Sequence, residues 1–284
     1  MVKLFTDTSA NLPETLAASL GISVIPFSYT VDGTPAAQDA PFDGKKFYDA
    51  MRAGADVKTS MINIVNLMEP MRAALEQGDD VLYIGMSGGI SGTANAAAIA
   101  ARELQTEFPA RKIAAIDTYA ASLGEGLQVL QARKLLDAGM RFEEVVETIS
   151  ADRHTMCQYF TVDDLEYLRR GGRIKRVAAV VGTVLKIKPI LMGDEEGRIV
   201  LCGKARGSRG AIDALAKHYE KLVKDKTAGI GIAHADNEEG AAALLQKLRE
   251  LGLTGDCLTM CYEPVTGSHV GPGTIALFFP GIHK

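Results

Sequence analysis

Short apolar runs of strand period alternate along this chain with longer stretches of helical period. Val2 to Phe5 reads as an opening strand, followed by short polar side chains and a helix with Pro13 at its start. Ile22 to Pro26 and Ser28 to Val31 are further strand-like runs, with Asp32-Gly33 as a turn signal. Phe42 to Arg52 predicts a helix, and Lys58 to Asn63 a polar lead-in to another, Ile64 to Gln77, with Asn63 as N-cap. A strand at Val81 to Gly85, a helix from Ser91 to Glu107, a strand at Ile113 to Ile116 and a long helix around Gly124 to Ala138 follow. Such strand, polar loop, helix units in succession predict a parallel sheet with helices on its faces and ligands beyond the carboxyl ends of its strands. The loops Asp7 to Asn11, Ser87 to Thr93 and Asp117 to Ser122 should then meet at one edge, with Thr59 and Ser60 beside them.

The second half is patterned differently. After a helix at Phe142 to Ser150 come a strand at Thr155 to Thr161 and a short helix, Asp163 to Arg169, closed by Gly171-Gly172. Ile187 to Met192 and Ile199 to Leu201 form a hairpin pattern, and Ser208 to Leu222 is helical. A strand at Gly229 to Ala233, a helix at Glu238 to Leu251 and strands at Leu258 to Tyr262 and Ile275 to Phe279 complete the chain. The expected fold class is α/β in two domains, a parallel-sheet domain over 1–154 and a mixed α/β domain over 155–284.

Charge sharpens this picture. The 284 residues carry a formal net charge of −4, which argues against nucleic-acid binding by the surface as a whole. Between Arg169 and Arg209, however, eleven basic residues face three acidic ones, so this stretch is +8 and the remainder −12. Two readings stand for it: a solvated face, or a docking surface for phosphates or an acidic partner. Cys157, Cys202, Cys257 and Cys261 lack metal or redox spacing and read as reduced structural thiols. With no signal-peptide pattern and no membrane-length apolar run, the expected compartment is the cytoplasm.

Candidate chemistry concentrates in Gly85-Met86-Ser87-Gly88-Gly89-Ile90-Ser91-Gly92-Thr93. A helix start after small and hydroxylated residues can bind an anion, because its first N–H groups lack intrahelical partners. The same stretch satisfies the G-x-S-x-G pattern of an α/β-hydrolase, with Ser87 as nucleophile and His269 downstream, so an esterase is the alternative reading. Against it, Gly88-Gly89-Ile90 intervenes before the helix. No Lys-Ser/Thr pair closes the glycines, so a Walker phosphate loop is excluded. Glu263 to Gly273 is a second Gly-rich loop, in which His269 is a candidate ligand donor. The other histidines have no zinc spacing, and no metal is expected.

Taken together, these stretches resemble the DegV family. Asp7-Thr8-Ser9-Ala10-Asn11-Leu12-Pro13, Lys58-Thr59-Ser60, Ser87 to Thr93, Asp163 to Ile174 with its Leu168-Arg169-Arg170-Gly171-Gly172-Arg173, and Gly267-Ser268-His269-Val270-Gly271-Pro272-Gly273 match its motifs in order over nearly the whole chain. Met61-Ile62 and Gly88 depart from its usual residues at the rim. The resemblance implies a long-chain fatty acid held between two domains, with no catalysis by this chain and no cofactor. It further implies presentation of the carboxylate to a separate fatty acid kinase catalytic subunit, whose acyl phosphate product feeds phospholipid synthesis. Transient contact with a membrane surface fits that role. On this reading Thr59, Ser91 and His269 hold the carboxylate, Ser60, Gly92 and Thr93 bind it with them, and Arg170, Arg173 and Arg206 belong to the head-group network or to partner docking. Val177 to Val184 and Met61 to Met68 are candidate walls for the tail.

Overall fold

In the computed structural model, which describes residues 1–37, 41–174 and 187–282, the opening strand β1 (Val2–Asp7) becomes fully buried toward its end. Asp7 there caps a 3-10 turn, Thr8–Ala10, by accepting from the Ser9 amide. Next come α1 (Glu14–Ser19), β2 (Ser23–Ile25), β3 (Ser28–Val31), β4 (Thr34–Pro35), α2 (Gly44–Arg52), β5 (Val57–Ser60) and α3 (Ile64–Glu76), the last capped by Asn63 as expected. β6 (Asp80–Gly85), α4 (Thr93–Glu107), β7 (Ile113–Asp117), α5 (Leu123–Asp137) and α6 (Phe142–Asp152) follow. The second half holds β8 (Met156–Thr161), α7 (Glu166–Arg170), β9 (Ile187–Gly193), β10 (Ile199–Arg206), α8 (Gly207–Leu222), β11 (Ile230–His234), α9 (Glu238–Glu250), β12 (Cys257–Cys261), α10 (Pro264–Val270) and β13 (Ile275–Pro280).

The first sheet, in the order β2-β1-β6-β7, is parallel throughout, as the repeated strand, loop, helix pattern predicts. Its three polar loops do meet at one edge. Ser87 N donates to Ala120 O at 2.8 Å, Gly88 N to Asp117 Oδ2 at 3.0 Å, and Asn11 Nδ2 to Ser122 Oγ at 3.3 Å. The second half builds a mixed sheet in the order β10-β9-β8-β13-β11-β12, of which only the β11/β12 pair is parallel.

Two segments differ from the sequence expectation. Lys58 to Ser60 is not a lead-in loop but part of β5, which pairs antiparallel with β3 so that Thr59 stands opposite Tyr29. Its half-buried Val57 and Thr59 alternate with exposed Lys58 and Ser60, a strand pattern in which a hydroxyl takes one of the two inward places. The Gly-rich stretch from Glu263 contains a helix, α10, with Pro264 in its first turn and Glu263 as N-cap, accepting from Val265 N at 2.5 Å and Thr266 N at 2.6 Å.

Helix α5 lies between the first sheet and the mixed one, which explains why residues all around its first half are buried. Gly126 makes this possible: a Cβ there would stand 2.5 Å from the Ala10 carbonyl oxygen. Gly126→Ala would gain at most about 1 kcal/mol of helix propensity, against about 1–3 kcal/mol or more of overpacking against backbone. The expected result is a net loss of stability, seen as a lower urea midpoint at unchanged m-value.

Candidate functional site

A cavity of about 80 Å³ lies where two apolar clusters meet, one contributing Phe27, Met86 and Val265, the other Phe160, Leu168 and Phe278. Thr59, Ser60, Ser91, Arg173 and His269 also line it. The residues expected to hold an anion are thus gathered from β5, the β6–α4 loop, the stretch after α7, and α10.

Thr59 Oγ1 is 2.9 Å from His269 Nε2. On the other side of the ring the backbone of Gly171 comes so close that a Cβ would meet Nδ1, so glycine at 171 is a condition of the ring's position. Burial, and then the nearby Arg173 charge, hold His269 down at about 4, so it is a neutral imidazole at pH 7. Among the described residues, the cation of the site is therefore Arg173. This half-buried guanidinium donates to the carbonyls of Ile90, at 3.1 Å, and Gly171, and has no acidic partner among the described residues. Ser91 Oγ donates to Thr93 Oγ1 at 3.0 Å and accepts from Thr93 N at 3.2 Å.

The other expected site residues stand apart from the cavity wall. Thr93 is fully buried, and its hydroxyl accepts from Ile62 N at 3.3 Å, tying the chain after β5 to the start of α4. Gly92 is the N-cap of α4 and lies against Met61, whose sulfur a Cβ at 92 would meet at 2.8 Å. Arg170 and Arg206 are exposed: Arg170 lies over the Tyr167 ring, and Arg206 precedes α8 without an ion pair among the described residues. Of the remaining basic stretch, Arg169, Lys188 and Arg198 pair with Glu166, Asp163 and Glu196, while Lys175, Arg176 and Lys186 lie outside the described residues. So does Val177 to Val184 as a tail wall; of Met61 to Met68, Met61 lines the cavity and Met68 belongs to a core cluster.

Ser87 does not have the setting of a nucleophile. It is fully buried, and its hydroxyl donates to Gly197 O at 2.9 Å and accepts from Gly89 N at 3.0 Å, fastening the β9–β10 turn to the β6–α4 loop. Among the described residues no His, Cys, Asp and Glu cluster could hold a metal ion, and no helix is long and apolar enough to cross a membrane.

Sequence reasoning missed a carboxyl cluster beside the site. Asp7 and Glu125 are both fully buried, and the Ser9 hydroxyl lies within hydrogen-bond reach of each. One hydroxyl has one proton, so Ser9 can donate to only one of them and the other must donate to it. Asp7 also accepts from Ser9 N at 2.9 Å, Tyr83 OH at 2.6 Å and Met86 N at 3.4 Å, which suits a carboxylate. Burial and then the Asp7 charge raise Glu125 well above the ordinary range, so Glu125 carries the proton. The signal was a lone acid in Leu123-Gly124-Glu125-Gly126-Leu127, a stretch otherwise built of apolar and small residues.

Glu263 is pushed up to about 7 by burial, with the Asp7 charge adding to it. The native state keeps this proton where the unfolded chain, near 4.5, has lost it, so the contribution to stability is full below 4.5 and declines as pH rises to about 7. His269 acts oppositely: its contribution is full above 6.5 and is lost as pH falls through about 4. Glu263→Gln removes the Glu263 titration, together with one N-cap hydrogen bond whose loss lowers stability without depending on pH. Urea unfolding between about pH 5 and 7 should therefore show stability rising more steeply with pH in the variant than in the wild type; equal slopes would mean that Glu263 does not titrate in that window.

Comparison with known proteins agrees with the motif order. The family model described as "Uncharacterised protein, DegV family" matches residues 1–280. A DegV domain-containing protein of Clostridium perfringens is 35% identical over 99% of this chain and 98% of its own length. A fatty-acid-binding DegV family protein from Thermus thermophilus superposes with a TM-score of 0.88 at 33% identity, covering 98% of each chain. A fatty acid binding DegV family protein from Streptococcus agalactiae does so at 0.86 and 29%, again covering 98% of each. This chain belongs to the DegV family.

Proposed function

We propose that the chain binds a long-chain fatty acid in this cavity, its carboxylate at Thr59, Ser91, His269 and Arg173 and its tail between the two apolar clusters. The observation that carries the reading is the composition of the cavity: hydroxyls, a neutral imidazole and a cation that has no acidic partner among the described residues, beside walls of Phe27, Phe160, Leu168 and Phe278. Relatives of the same fold that bind fatty acids support it.

The energetics suit this ligand. Removing a carboxylate from water costs several kcal/mol, and each hydrogen bond to it returns about 1.5–3 kcal/mol. The polar groups therefore place the head rather than drive binding. Each buried CH₂ is worth about 0.8 kcal/mol, so a long tail brings over ten kcal/mol of gross transfer energy before ordering costs.

In this reading the chain is not itself an enzyme. It holds the carboxylate for a separate kinase subunit, which forms the acyl phosphate used in phospholipid synthesis in the cytoplasm, with passing contact at a membrane surface. The resemblance to the DegV family supports the kinase role, and exposed Arg170 and Arg206 are the docking candidates. Arg173 lines the cavity and so belongs with the head group. The units 1–154 and 155–284 are the two halves that close on the ligand.

Mass spectrometry of the denatured protein purified from cells should find a long-chain fatty acid. Thr59→Val and Ser91→Ala should each weaken fatty acid binding about ten- to a hundredfold, one charge-assisted hydrogen bond apiece; unchanged binding in both would move the head group elsewhere. With a fatty acid kinase subunit and ATP, acyl phosphate should form only when both proteins are present. Arg206→Glu should lower that rate while leaving lipid binding intact, whereas Arg173→Glu should weaken both; formation of acyl phosphate without the kinase subunit would refute the division of labour.

A further inference from the structure

Two methionines line the cavity, and they differ in exposure: Met86 is 6% exposed and Met61 49%. Apart from Met1, no other methionine among the described residues is exposed. The Met61 side chain therefore stands at the mouth, touching solvent and cavity at once. It is also a position at which this chain departs from the residues usual in the DegV family.

The backbone holds Met61 there from both sides. Ser60 before it pairs with Ser28 in the β5/β3 ladder, and Ile62 after it donates its amide to Thr93 Oγ1. Its sulfur lies against Gly92, the exposed N-cap of α4, next to Ser91 and two residues on from Thr59. A thioether is a weak acceptor and packs as an apolar group. Its sulfoxide is polar, and its oxygen must be hydrated or paired. At this mouth that oxygen would face either a carboxylate, which repels it, or the first methylenes of the chain, which desolvate it.

On the reading that the cavity holds a fatty acid with its head group at Thr59, Ser91 and His269, we propose that Met61 is an oxidation site through which peroxide lowers lipid occupancy. A sulfur lone pair attacks one oxygen of hydrogen peroxide, the S–O bond forms and the O–O bond breaks. The thioether is oxidised to the sulfoxide, and the departing oxygen takes the proton of the transferred one and leaves as water.

The test is graded treatment of the delipidated full chain with hydrogen peroxide, with peptide mass spectrometry to place each added oxygen and titration calorimetry with hexadecanoic acid. Met61 should oxidise well ahead of Met86, and affinity should fall about tenfold in step with it, returning after methionine sulfoxide reductase. Met61→Leu, close in volume, should bind with the same affinity before and after treatment, although Met1 and the four thiols are as open to peroxide as in the wild type; Met61→Gln serves the same purpose should the leucine variant not fold. Sulfoxide at Met61 with undiminished affinity, a loss that persists in the variant, or oxidation of Met86 as fast as Met61 would each overturn the inference. Failure of the untreated wild type to bind the acid would instead remove the fatty-acid reading on which it rests.

Discussion

Thr59 and His269 are 210 positions apart in sequence and 2.9 Å apart in space, and the cavity exists only while that contact and a few like it hold. Apolar contacts are non-directional and let two halves slide. Hydrogen bonds fix distance and angle. The seam between the first half of the chain and the second is crossed by several: Ser87 to the Gly197 carbonyl, the Glu263 amide to Asn11 Oδ1, Gln158 to the Tyr119 and Ala121 backbone, and Tyr48 to the Tyr262 carbonyl. Each ties a loop at the carboxyl edge of the parallel sheet, or α2, to the mixed sheet or its loops. A space between apolar walls, which ordinary packing would collapse, is thereby kept open.

The charge arrangement follows from the same enclosure. An imidazole that is neutral at physiological pH leaves Arg173 as the cation at the anion site, and Arg173 is held by carbonyls, which orient a guanidinium without neutralising it. The three carboxyls nearby point their charge elsewhere. Asp7 is surrounded by donors, Glu125 holds a proton, and Glu263 is spent on the first amides of the helix that bears His269.

Much of this was legible in the sequence. The alternation of apolar strands with polar loops predicted the parallel sheet, and the loops did converge; Thr59, Ser91 and His269 line one cavity together. What was not legible had a common cause, residues whose role is set by a distant neighbour. β5 was hidden because its half-buried face in four residues is only Val57 and Thr59, a hydroxyl standing where a strand usually repeats an apolar residue. α10 was hidden because Gly267, a poor helix former, is required where the Tyr48 hydroxyl would strike a Cβ, although Glu263-Pro264 was a usable helix-start signal. Thr93 looked like a ligand residue and is a buried tie. Ser87 matched a catalytic pattern, but its hydroxyl is taken by a hairpin whose position no local pattern reveals.

The single proton shared around Ser9 reaches beyond the site. The formal charge of −4 counts every carboxyl as ionised, yet the geometry requires one of the Asp7 and Glu125 pair to be protonated, so the native chain carries at least one negative charge fewer than that count. Unfolded, both acids would ionise at neutral pH. Each molecule that folds there must draw a hydrogen ion from its surroundings, and the heat measured for folding will include the ionisation heat of whichever buffer supplies it.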